Sequence, residues 1–222
     1  DLHRFDPAAD NHILARKAAE IGVFGQFPIG IVGPDRSPDF GIAGHHHLHH
    51  PDGEIVDGAV DLECGSTTNI RDRQKQGGFT NTYFVTANRY VAKKASNINA
   101  LADLKGKTVV STSGTTNLKW VTEENAKQNL GLSILTAKDH AEAFLMVETG
   151  RAVAFFMDDI LLYSLVASSK APGDFVVGSE AYTVEPYGAM MPRDDAGFRR
   201  VVDGATAKLY TSPEMATLYD KW

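Results

Sequence analysis

From about Val60 onward, short apolar runs alternate with longer amphipathic stretches, each pair separated by polar or glycine-bearing punctuation. Ala59–Cys64, Thr82–Ala92, Lys107–Ser111, Ser133–Leu135, Val153–Met157, Phe175–Val177 and Tyr187–Met191 have the length and β-branched or aromatic content of strands. Between them, helical spacing predicts helices over Asn117–Asn129, Asp159–Ser168, Ala196–Thr211 and Pro213–Trp222. A further helix follows Asp139, where Glu142 stands three residues on in the capping-box position and Gly150 supplies the stop. Ile70–Gln76 reads as a short helix capped by Asn69, and Ala100–Leu104 as a helical turn.

The β-loop-α order predicts an α/β fold with parallel sheets flanked by helices, and ligands in such sheets sit at the carboxyl ends of strands. Residues 1–56 obey the pattern less well. Asn11–Ile21 has one apolar face, Val23–Val32 is a strand interrupted by Pro28 and two glycines, and His45–His50 is strongly biased in composition.

Bulk properties narrow the function. The 222 residues are 43% hydrophobic and 23% charged, as in globular proteins. A net charge of −6 argues against nucleic acid or an anionic membrane as partner. No apolar run has the length of a membrane span, and no signal peptide stands at Asp1, which leaves a cytoplasmic or a processed mature chain. The single cysteine, Cys64, beside an apolar strand, reads as an inert thiol. No Gly-x-Ser-x-Gly elbow, phosphate-binding loop or dinucleotide fingerprint is present. The histidine cluster lacks the spacing of a structural zinc site, so neither metal nor cofactor is expected.

Three loops share a chemical character. Gly65-Ser66-Thr67-Thr68-Asn69, Thr112-Ser113-Gly114-Thr115-Thr116 and Lys138-Asp139-His140 each bring hydroxyls, backbone N–H groups or an imidazole to a helix start, where anions are favoured. Arg73 adds a planar fork suited to a carboxylate, and Asp158, directly after an apolar strand, suits an ammonium. Singly, each has an ordinary explanation: Ser and Thr before helices are N-caps, and an Asp-Asp pair is a helix start. Together they form a cradle for a zwitterion.

The same segments resemble a known family. Asp61-Leu62-Glu63-Cys64-Gly65-Ser66-Thr67-Thr68-Asn69 with Arg73-Gln74-Lys75-Gln76, then Leu104-Lys105-Gly106-Lys107, Thr112-Ser113-Gly114-Thr115-Thr116, Ala137-Lys138-Asp139-His140, Glu148–Phe155, Met157-Asp158-Asp159, Glu185-Pro186-Tyr187-Gly188 and Asp220-Lys221-Trp222 are similar, in order, to the periplasmic glutamate/aspartate-binding proteins of ABC transporters. The resemblance implies a two-lobed periplasmic-binding-protein-like fold with two hinge strands, near Thr86–Asn88 and Thr183–Glu185, closing on the ligand. Lobe one would be residues 1–87 plus 183–222, and lobe two residues 88–182. Arg73, Thr68 and Thr115 would hold the α-carboxylate, Ser66 and Asp158 the α-ammonium, Thr112 would line the site, and His140 would face the side-chain carboxylate.

The family's two side-chain-binding arginines are not evident; Arg36, in a short echo of its first strand, is a further candidate. The implied function is amino-acid capture in the periplasm by a monomer that serves an ABC transporter permease, without catalysis. Two alternatives use the same fold: an amino-acid dehydratase or lyase, for which His140 and Glu63 are the candidate acid or base, and a ligand-sensing receptor domain.

Overall fold

The computed structural model describes residues 30–32, 55 and 60–221. The predictions for Asn11–Ile21, Arg36, His45–His50 and Trp222 lie outside the described residues. The chain divides into two compact units, one formed by residues 1–83 and 187–222, the other by residues 84–186.

The second unit is a continuous segment built on β4 (Phe84–Lys93), β5 (Thr108–Thr112), β6 (Ser133–Ala137), β7 (Ala154–Asp158), β8 (Phe175–Val177) and β9 (Thr183–Tyr187). Its sheet runs β6-β5-β7-β4-β8, with β9 also paired to β4. Strands β5, β6 and β7 are parallel, joined by helical crossovers as parallel neighbours require, whereas β4 enters antiparallel to β7 and β8. Helices α1 (Thr116–Gln128), α2 (His140–Glu148) and α3 (Asp159–Ser168) cover the faces. One core gathers Val91, Val110, Phe155, Leu161 and Leu162; the other gathers Tyr90, Val109, Val121 and Phe156. Strand β7 is therefore buried at every position, which is why Val153–Met157 reads as a continuous apolar run without alternation. Trp120 of α1 stacks on Tyr182 with ring centroids 4.5 Å apart, against Phe156.

Local signals set the helix ends. Thr115 caps α1, its hydroxyl accepting from the Leu118 N–H at 3.1 Å, and Asn129 closes that helix at φ 51°. Asp139 caps α2 by accepting from Glu142 N–H at 2.7 Å. Glu142 Oε2 accepts in turn from Lys138 N–H at 2.9 Å, one residue before the position a standard capping box uses.

The first unit contains β1 (Gly30–Val32), β2 (Val60–Glu63), β3 (Gly78–Phe79) and β10 (Met190–Met191) in the order β1-β2-β10-β3, followed by α4 (Ala196–Tyr210) and α5 (Pro213–Lys221). Every described pairing here is antiparallel, so the expectation of parallel sheets holds only in the other unit. Met190 is fully buried with Phe79 and Ile55, and Met191 with Leu62 and Ala189.

Two elements differ from the sequence pattern. Ile70–Gln76 yields only a 3-10 turn at Arg73–Lys75, because Asn69 does not cap it: its Oδ1 accepts from Gln74 and its amide donates to Thr80 O. The run Tyr187–Met191 is not one strand. It breaks at Gly188-Ala189, where Gly188 N–H bonds Thr67 O and Ala189 N–H bonds the Thr80 hydroxyl. A Cβ on Gly188 would lie 3.3 Å from Phe79 and from Thr80 O, so an alanine there would need its neighbours to give by a few tenths of an ångström.

Candidate functional site

Each unit carries part of the predicted constellation at the carboxyl ends of its strands. In the first unit the loop after β2 bears Ser66 and Thr68. Tyr83 donates its hydroxyl to Gly65 O, Gly188 N–H reaches Thr67 O at 3.2 Å, and Thr68 forms an isolated bridge with Tyr187. A Cβ on Gly65 would fall 2.1 Å from the Glu63 carboxylate folded over it, so a larger residue there would have to push that carboxylate aside. Thr68 is buried, and Arg73 Nη1 donates to its carbonyl at 3.1 Å. That bond orients the guanidinium beside the loop, where its fork suits a carboxylate. Burial, with the Glu63 charge adding, pushes the Cys64 thiol up to about 12, which makes it a poor nucleophile.

In the second unit the ends of β5, β6 and β7 present Thr112, His140 and Asp158. Thr112 and His140 are in contact, with Oγ1 2.8 Å from Nδ1. Burial pushes the imidazole down to about 4 and the neighbouring Asp139 charge opposes that fall only in part, so the ring is neutral at pH 7. Thr115 sits at the turn between β5 and α1. Its hydroxyl is already engaged, donating to Thr112 O at 2.8 Å while capping the helix. An anion at this turn would have to be met by the first backbone N–H groups of the helix, ahead of Leu118, whose N–H the Thr115 hydroxyl already takes.

Asp158 occupies the N-cap position of α3 without making a cap hydrogen bond. Its Oδ1 instead accepts from the amide of Asn117 at 2.8 Å, and both residues are 1% exposed. Asp159 plays a different part. It receives the Thr86 hydroxyl and Arg89 Nε, the latter at 2.9 Å, and so secures β4 to α3. The sequence separates these adjacent carboxylates poorly. Asn117 is the partner of Asp158 that sequence reasoning missed, since an Asn in a first helical turn carries no signal of its own.

Among the described residues no cluster of His, Cys, Asp and Glu is placed to hold a metal, and no helix is long and apolar enough to cross a membrane.

Residues 53–222 match the profile of the family described as "Bacterial extracellular solute-binding proteins, family 3". The chain is 48% identical over 168 residues to the "L-glutamate/L-aspartate-binding protein" of Pseudomonas aeruginosa, and 42% identical over the same length to the "Glutamate/aspartate import solute-binding protein" of Escherichia coli. Each match covers 76% of this chain and 56% of the relative, so the chain spans little more than half the length of these proteins. Among solved structures, an ancestral arginine-binding protein bound to glutamine superposes with a TM-score of 0.70 at 24% identity, covering 77% of this chain and 74% of that one. A solute receptor for L-cysteine from Neisseria gonorrhoeae does so with a TM-score of 0.70 at 23% identity, covering 83% and 73%. The two-lobed periplasmic-binding-protein-like α/β fold is thereby shared.

Proposed function

The chain belongs to the bacterial extracellular solute-binding proteins of family 3, and on that premise we propose that it captures an amino acid, glutamate or aspartate, in the periplasm and delivers it to the permease of an ABC importer. The carrying observation is the Arg73 fork fixed on Thr68 in one unit, together with the buried Asp158 carboxylate and the neutral His140 in the other. Opposite charges of a zwitterion need both kinds of partner.

In this reading Arg73, Thr68 and the Thr115 turn take the α-carboxylate. Ser66 and Asp158 take the α-ammonium. Thr112 lines the site and aims His140 at the ligand's side-chain carboxylate, with Arg36 a further candidate for the same group. The names of the glutamate- and aspartate-binding relatives support the acidic preference. The protein acts as a monomer and performs no reaction on its ligand. Its groups hold charges in place, and the one thiol is suppressed rather than activated.

Calorimetric titration with a panel of amino acids tests the proposal. Saturable binding of L-glutamate or L-aspartate at one site per chain is expected, and silence toward every amino acid overturns it. Ligand recovered unchanged after long incubation separates binding from a dehydratase or lyase activity.

A further inference from the structure

A buried carboxylate meets a cation in a defined direction only if other groups fix its plane. Asp158 ends β7, and the helix that follows gives it no cap bond. The amide of Asn117, the second residue of α1, donates to it at 2.8 Å. Asn117 is itself 1% exposed, and its Oδ1 has no hydrogen-bond partner among the described residues. Buried amides ordinarily satisfy both ends. Here the orientation that serves Asp158 strands the amide's own oxygen. Turning the group over would set that oxygen against the carboxylate, losing the donor and opposing two negative ends. Asp158 therefore dictates which way Asn117 faces.

A residue that merely filled the core would not accept this. Leucine has the same branched four-atom side-chain skeleton and no polar atom to strand. The bond also ties the end of β7 to the first turn of α1, two residues after Thr115.

We infer that Asn117 is the positioning residue of the ammonium subsite: by donating to Asp158 it sets the direction of that carboxylate and its spacing from the Thr115 turn. The inference rests on the amino-acid reading proposed above. Asn117 does not touch the ligand. It makes the site discriminate between molecules with and without an α-amine.

The test compares L-glutamate with glutarate, which keeps both carboxylates and lacks the amine, in the wild type and in Asn117→Leu. Hydrogen bonds to charged groups predict that Asn117→Leu weakens L-glutamate roughly 10- to 100-fold. Glutarate should change by less than about twofold, the level at which independent sites leave each other alone. In an Asp158→Asn background, Asn117→Leu should add less than about twofold to the loss for L-glutamate, because the group it serves is gone. Where glutarate binds too weakly to measure, this cycle decides. Should Asn117→Leu fail to fold, Asn117→Ser, whose hydroxyl is shorter than the amide, is read in the same way. Equal losses for the two ligands, no loss, or losses that add fully in the double variant overturn the role of Asn117 while the wild type still binds glutamate. A wild type that binds no amino acid overturns the underlying reading instead.

Discussion

The Thr112 hydroxyl stands 2.8 Å from Nδ1 of His140, joining the end of β5 to the first residue of α2. When Thr112 donates, Nδ1 accepts and the ring proton sits on Nε2, free to point at an acceptor. A ligand carboxylate placed there raises the imidazole from its depressed value of about 4, so binding takes up a proton as pH falls. The affinity for glutamate relative to glutamine should therefore rise from pH 7 to pH 5. His140→Gln should flatten that slope, and calorimetry in buffers of different ionisation enthalpy would count the proton. A wild-type ratio independent of pH would contradict the assignment.

The same depressed imidazole affects folding in the unliganded protein. Between the ordinary histidine value near 6.5 and about 4, the unfolded chain binds a proton that the folded chain does not. Stability should thus fall with decreasing pH through that window and be insensitive to His140 above it. Denaturant unfolding of the wild type and His140→Gln at pH 7.5 and pH 5 gives the comparison. The difference between the two proteins should change only at the lower pH.

Arg73 and His140 should separate by ligand. Truncating one partner of a hydrogen-bonded charge pair costs about 2–5 kcal/mol, so Arg73→Ala should weaken every amino acid by roughly 30-fold or more. His140→Ala should weaken acidic ligands selectively. Equal losses for glutamate and glutamine in His140→Ala would sink that distinction.

Removing the Asp139 cap should loosen α2. Asp139→Ala is expected to cost about 1 kcal/mol of stability, since the Glu142 N–H loses its acceptor. It should also blur the placement of His140, the next residue. Urea midpoints report the first effect, and the glutamate-to-glutamine affinity ratio reports the second.

Phe156 is fully buried and touches the rings of Tyr90, Trp120 and Tyr182. Phe156→Ala should destabilise residues 84–186 by about 3–5 kcal/mol, the range for large aromatic truncations in cores. Hydrogen exchange should place the loss in that unit first.

The second unit was largely legible in the sequence, for identifiable reasons. Residues whose local chemistry matches their tertiary role, such as Asp139, Gly150 and the apolar run into Asp158, announce themselves by spacing or composition. The first unit was less so. Strand β10 has two residues and is defined by its neighbours β2 and β3, which lie over a hundred residues away in sequence. Asn69 has a capping residue's chemistry, but Gln74 and Thr80 claim it. At the site, side-chain identity pointed to Arg73, His140 and Asp158, whereas Asn117 owes its role to the Asp158 carboxylate across from it and to nothing in its own neighbourhood of the chain.

The two units also differ in when they can form. Residues 84–186 are contiguous, and their first and last strands, β4 and β9, pair with each other. A ribosome that has released this segment has supplied everything its sheet needs. The other unit must hold β2 and β3 open until β10 arrives more than a hundred residues later. Synthesis should therefore yield an intermediate with one finished half and one waiting half, and chaperone contacts should concentrate on the waiting one. Protease trimming of stalled nascent chains should leave a protected core that begins near Phe84.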